Sequence, residues 1–209
     1  MMKKEENFEQ LLSKILTTTT YGGVNTGYTK HGDSDWHLMT LFSLVLQIKA
    51  ENILELGTRH GVTTLPLTLG ASLMGGKVDA VDIDPTEWVC PKILESNYQF
   101  HQMDAIKFLE NNTKNYDLIW VDDWHSYEHV SKEIELLDKF TTPSSLICLH
   151  DLMGNFQAPN YYYSKGTKIT DPEWANGGPY RAVKELDKDK WEFATIPVNN
   201  GLTILRKKY

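Results

Sequence analysis

Residues 52–61 read NILELGTRHG. Asn52, Ile53 and Leu54 run into Glu55, then a turn that holds Gly57 and Gly61, and helical periodicity follows over 63–74. Glycines at those two places allow a tight turn and close approach of a ligand to the backbone. The N–H groups that open the next helix have no partner within it and face the same ligand. The pattern then repeats downstream. KVDAVDID (77–84), YQFHQMD (98–104), YDLIWVDD (116–123) and SLICLHD (145–151) are short apolar runs, each ending on charged residues. Helical spacing fills 86–96, 105–111 and 126–140, where Val130, Ile134 and Leu137 share one face. Apolar strands alternating with helices predict an α/β chain, a doubly wound parallel sheet covered on both faces. Ligands in such sheets bind beyond the carboxyl ends of the strands. Those ends carry Glu55, Asp82, Asp104, Asp122 and the pair His150 and Asp151, expected to meet in one cleft.

The flanks depart from this pattern. Residues 5–17 predict a leading helix, TTTTYGGVNTG (17–27) a loop, and 36–49 a helix with Leu38, Leu41, Phe42, Val45 and Ile48 at helical spacing, capped by Asp33, Ser34 or Asp35. WEFATIP (191–197) and GLTILRKK (201–208) flank Val-Asn-Asn-Gly, a hairpin signal, so the seven-stranded sheet should close on an antiparallel pair. Residues 152–177 form a long insert with Asn155, Phe156, Tyr161, Tyr162, Tyr163 and Trp174; a loop of that length leaving the cleft suits a lid. Gly178 to Leu186 reads as helical. One domain over 1–209 is expected, with 1–32 as its N-terminal helix and loop.

Hydrophobic residues make up 41% of the 209 and charged residues 23%, and the net charge of −7 argues against grip on a phosphate backbone. No apolar stretch is long enough to cross a bilayer. MMKKEENFEQLL places acids directly after its lysines and lacks the apolar core of a signal peptide. Two cysteines, with Cys148 inside LICLH as a small core residue, give no disulfide framework, and a cytoplasmic location is expected. The partner expected is a small molecule, without nucleic acid or membrane; a homo-oligomer is left open.

A carboxylate at Asp82, some 25 residues after the glycine turn, can accept both hydroxyls of a ribose. The middle glycine of a dinucleotide fingerprint is missing, since Arg59 and His60 stand where a pyrophosphate needs room. Asp104 can equally serve as the N-cap of the helix beginning at Ala105. Parallel strands lie about 4.8 Å apart, so Asp122, His150 and Asp151 can converge on one metal ion. His125 and His129 are one helical turn apart, which offers a zinc pair as a rival, although the Glu of H-E-x-x-H and a third ligand are absent.

Glu55-Leu-Gly-Thr-Arg-His-Gly61 resembles the first motif of class I S-adenosylmethionine-dependent methyltransferases. It is most similar to the small O-methyltransferase branch of antibiotic sugar O-methyltransferases and cephalosporin-hydroxylase-like proteins. VDIDP (81–85), MDA (103–105), VDDWHSYE (121–128), HD (150–151), GPYRAVKEL (178–186) and NGLTILRKK (200–208) follow in that family's order, so the resemblance covers roughly 33–208. It implies a Rossmann-like fold and S-adenosylmethionine held by Glu55, Gly57, Thr58, Arg59, Gly61, Thr63, Asp82, Ile83, Asp84, Asp104, Ala105 and Asp122. Within that set Asp104 would accept from the adenine amine. It implies a divalent metal, Mg or Mn, at Asp122, His150 and Asp151, although His150 replaces an acid of the family pattern and favours a softer ion than magnesium. His125 would be the general base for attack of a sugar or natural-product hydroxyl on the sulfonium methyl. A nucleotide-linked oxidoreductase and a catalytically silent cofactor-binding protein are the alternatives.

Overall fold

A computed structural model describes residues 5–21, 34–152 and 177–209. The expectations for Asp33, for 22–27 and for the aromatic insert from Asn155 to Trp174 lie outside those residues. The chain divides into two compact units, 1–103 and 104–209.

The first unit begins with helices α1 (Phe8–Tyr21) and α2 (Leu38–Ile48). The parallel strands β1 (Asn52–Leu56), β2 (Lys77–Asp82) and β3 (Tyr98–Gln102) follow, with helix α3 (Thr64–Met74) crossing between the first two. Strand β1 is buried from Ile53 to Leu56, as a strand covered on both faces must be. Leu11 and Ile15 of α1, Leu38 and Phe42 of α2 and Leu65 and Leu69 of α3 pack into one core with Trp88 and Leu94. Two expectations fail here. Thr17 to Tyr21 are helical rather than loop: Thr18 is buried in line with Leu11 and Ile15, and the Thr20 hydroxyl donates to the Leu16 carbonyl at 2.8 Å, so this threonine run continues the amphipathic turn. Residues 86–96 are not an α-helix. Pro85 and Pro91 bracket the segment, the Thr86 hydroxyl bonds the Arg59 carbonyl and the Trp88 N–H, and only a short 3₁₀ turn forms after Pro91.

The second unit holds α4 (Ala105–Asn111), β4 (Leu118–Val121), α5 (Tyr127–Leu137), β5 (Leu146–Leu149), α6 (Gly178–Lys184), β6 (Trp191–Ile196) and β7 (Leu202–Lys207). β4 and β5 are parallel, while β7 runs antiparallel to both β5 and β6. The hairpin turn puts Asn199, Asn200 and Gly201 at positive φ, a conformation asparagine and glycine adopt most readily. Cys148 is fully buried and both cysteines are free thiols. The expected sheet is present: seven strands in the order β3-β2-β1-β4-β5-β7-β6, with parallel pairs within β1 to β3 and between β4 and β5, and an antiparallel hairpin at the end.

Candidate functional site

In the first unit the turn after β1 is fastened from two sides. Glu55 is fully buried, and its two carboxylate oxygens accept from the hydroxyls of Thr63 and Thr64, each at 2.6 Å. A strand carboxylate thereby anchors the first residues of α3. Asp82, at the end of β2, accepts from the N–H groups of Thr58 at 2.9 Å and Arg59 at 2.8 Å through one oxygen, and from Asp84 N–H at 3.0 Å through the other. Asp82 therefore shapes the turn as well as standing at the strand end expected for ribose recognition. Ile83 beside it is 67% exposed, an apolar face open to a ring.

The backbone of the turn is strained in a defined way. Gly57, Arg59 and Gly61 all have positive φ, at 88°, 40° and 74°. At Gly61 the reason is an intrachain contact, because a Cβ there would lie 2.1 Å from Trp88 Cγ. The tryptophan that replaces the expected helix thus closes over the second glycine of the motif. Thr58 is 3% exposed and its hydroxyl has no hydrogen-bond partner, which leaves one polar group at the turn for a ligand.

In the second unit, Asp104 accepts from Lys107 N–H at 2.9 Å and caps α4, with Ala105 buried behind it. The capping role that competed with adenine recognition is realised, and it uses one of the two carboxylate oxygens.

Asp122 follows β4 and His150 follows β5, and His150 N–H donates to the Val121 carbonyl at 3.1 Å, which continues the strand register to this point. Four side chains meet there. Asp122 Oδ1 lies 3.3 Å from His150 Nδ1 and 3.5 Å from His125 Nε2; Asp151 reaches His125 Nε2 at 3.0 Å and His150 Nδ1 at 3.5 Å. Asp151 holds a positive φ of 63°, which turns its carboxylate back toward the histidines. Burial alone would depress both imidazoles, yet the two carboxylates hold each of them protonated, up to about 11. Burial would raise both acids, and the histidines instead keep Asp122 and Asp151 below their usual range.

The ligand atoms of Asp122, His125 and Asp151 lie within 4.8 Å of one another, so His125 stands inside the donor set expected to be completed by His150. His150 Nε2 instead lies 3.0 Å from the Asn199 carbonyl, an obligate acceptor. That contact places a proton on Nε2 and turns Nδ1 toward the two carboxylates.

The His125 and His129 zinc pair does not form. His125 turns to Asp122 and Asp151, whereas His129 Nε2 lies 3.1 Å from Asp123 and 3.5 Å from Glu133. Asp122 and its neighbour Asp123, both beyond the end of β4, feed two clusters. Sequence reading passed over Asp123 and Glu133; the signal was a glutamate at 133, amid the apolar positions 130, 134 and 137 of an amphipathic helix.

The seven-stranded order, the glycine turn after β1 and the carboxylate ending β2 together define the class I methyltransferase type of Rossmann-like fold. Residues 54–152 match the family model of a methyltransferase domain. Among solved structures, the chain is similar to an O-methyltransferase from Bacillus cereus in complex with SAH, at 17% identity over 95% of this chain and 90% of that one, TM-score 0.64. It is similar to the O-methyltransferase TomG from Streptomyces achromogenes, involved in tomaymycin synthesis and bound to SAM, at 14% identity over 99% and 92%, TM-score 0.62. The MycE methyltransferase of the mycinamycin biosynthetic pathway, in complex with Mg, SAH and mycinamycin VI, gives 16% identity and a TM-score of 0.61; 98% of this chain covers 55% of that one. At these identities the likeness is one of fold. Comparison with curated protein sequences gives no match. No described helix is long and apolar enough to cross a membrane.

Proposed function

We propose that the chain transfers a methyl group from S-adenosylmethionine to a hydroxyl oxygen of a small molecule, a sugar or other natural product, with a divalent cation held at Asp122, His150 and Asp151. The observation that carries the cofactor assignment is the turn at 57–61, locked by Asp82 and Glu55 and retaining an unpartnered Thr58 hydroxyl. Such preorganisation fits a bound polar ligand better than a plain strand-to-helix connection. The cofactor supplies a sulfonium methyl that is already activated.

Glu55 keeps the turn in place through Thr63 and Thr64 and does not need to touch the ligand. Gly57, Thr58 and Arg59 present backbone, with Asp82, Ile83 and Asp84 offering the carboxylates and apolar face for ribose and adenine. The donor set of two carboxylates and an imidazole fits a manganese-type ion better than magnesium, and a cation there would lower the pKa of an acceptor hydroxyl. His150 is turned for ligation by the Asn199 carbonyl. His125 is held protonated by the same two carboxylates, and a cation engaging Asp122 and Asp151 would weaken that hold and free the imidazole to take the hydroxyl proton.

The decisive experiment is a thermal shift with S-adenosylmethionine and NAD in parallel. Saturation at 100 times Kd stabilises by about 2.7 kcal/mol. For a protein of this length that corresponds to roughly 5–10 °C. A rise with NAD and none with S-adenosylmethionine would overturn the assignment in favour of an oxidoreductase. Methyl transfer to a panel of hydroxylated acceptors should fall at least 100-fold in Asp122→Asn with cofactor binding retained; unchanged transfer would remove the metal and the cluster from the reaction.

A further inference from the structure

Glu133 is the least explained side chain among the described residues. It sits on α5, between Val130 and Ile134, and is fully buried. An amphipathic helix would place an apolar residue at such a position. Neither carboxylate oxygen of Glu133 has a hydrogen-bond partner, and Asp123 Oδ1 is buried without one as well. Buried carboxylates are costly unless a hydrogen-bond donor or a cation meets them. Among the described residues the cationic group beside them is His129, whose Nε2 lies 3.1 Å from Asp123 Oδ2 and 3.5 Å from Glu133 Oε1. A single imidazole nitrogen cannot satisfy three lone oxygens.

The local chain fixes this trio. Ser126 caps α5 by accepting from His129 N–H at 3.3 Å, which sets the register of the first turn. His129 and Glu133 are then i and i+4, one above the other on a single face. Asp123 arrives from the segment after β4 and turns to His129 rather than to the Asp122 cluster. The ligand atoms of Asp123, His129 and Glu133 all lie within 4.8 Å of one another.

We propose that Asp123, His129 and Glu133 form a second divalent-cation site, separate in its residues from the Asp122 cluster and selective for an ion of the manganese or zinc type. Two carboxylates and one imidazole on a partly buried, compact frame suit such an ion; calcium takes six to eight oxygen ligands and magnesium strongly prefers oxygen. An ion between the three groups supplies positive charge to all the unpartnered oxygens at once. Without it, burial and the neighbouring Asp123 push Glu133 up to about 8, so that a proton takes the ion's place. The site stands whether or not the chain transfers methyl groups, because none of its residues is assigned to that reaction.

The probe is Mn²⁺ itself, counted by the loss of its free-ion electron paramagnetic resonance signal on titration into the full chain stripped with EDTA and desalted. Beside any ion at the Asp122 cluster, the parent is expected to bind one equivalent that Glu133→Gln loses and Asp122→Asn keeps. Zn²⁺ should displace that equivalent, and a tenfold excess of Mg²⁺ should not. Far-UV circular dichroism establishes that each variant folds; should Glu133→Gln fail there, His129→Gln serves in its place with the same expected loss. Equal Mn²⁺ capacity and affinity in the parent and in the folded variant overturns the site and leaves a proton as the buried partner. Mn²⁺ capacity that falls in Asp122→Asn and is undiminished in Glu133→Gln likewise overturns it, and assigns the only ion to the other cluster.

Discussion

Gly61→Ala tests how the glycine turn is held. The added Cβ would stand 2.1 Å from Trp88 Cγ, 2.3 Å from Cδ1 and 2.4 Å from Cβ, the rigid root of a buried tryptophan. Relief requires moving the tryptophan or the turn, and overpacking of this kind costs about 1–3 kcal/mol. The φ of 74° adds about 1–2 kcal/mol for any residue with a Cβ. The sum, about 2–5 kcal/mol, is a large part of the 5–15 kcal/mol that typically separates folded from unfolded states. Urea unfolding of parent and variant should show the midpoint fall with unchanged slope. Thermal unfolding should drop by roughly 4–20 °C, since 1 kcal/mol moves a chain of this length by about 2–4 °C. The mechanism has its own signature. In Gly61→Ala with Trp88→Ala the steric part disappears, so the double variant should lose at least about 1 kcal/mol less than the two single losses added together. A loss below about 1 kcal/mol in Gly61→Ala, or strict additivity in the double variant, would refute the packing account.

Two further substitutions separate roles that share one side chain. Asparagine caps helices as well as aspartate, so Asp104→Asn should leave stability within about 0.5 kcal/mol. If the Asp104 carboxylate also accepts from the adenine amine, the Kd for S-adenosylmethionine measured by calorimetry should rise about tenfold or more; an unchanged Kd reduces Asp104 to a cap. Asp151→Asn keeps a residue type that tolerates positive φ and removes only the charge. His125 and His150 are raised in the fold from 6.5 to about 11, so the stability they contribute is complete below pH 6.5 and is lost as pH climbs toward 11. The penalty of Asp151→Asn, read from urea midpoints in EDTA, should therefore be larger at pH 6 than at pH 10 by about 1 kcal/mol or more. Equal penalties at both pH values would show that the cluster is not held as an ion-pair network.

Much of the fold was legible because its signals are local. The apolar runs, the glycine turn, the Asn-Asn-Gly hairpin and the Asp104 cap of α4 each depend on a few neighbouring residues, and all are present. The failures also have local form and distant cause. The threonines at 17–20 look like loop, but burial of Thr18 beside Leu11 and Ile15 extends α1 through them. Residues 86–96 carry helical spacing, but two prolines and the seat of Trp88 on Gly61 override it.

By itself the sequence determined which residue types stand at the strand ends and how far apart they lie along the chain, since period-2 and period-3.6 patterns are written in neighbouring residues. Only the tertiary structure decided which of them meet. The register of β4 on β5 sets Asp122 beside His150, the left-handed backbone at Asp151 returns its carboxylate to His125, and the phase of α5 sends His129 away to Asp123 and Glu133. Those pairings join residues up to 28 positions apart, from Asp122 to His150. They depend on strand alignment and helix rotation, which the packing of the whole chain fixes and no short stretch encodes.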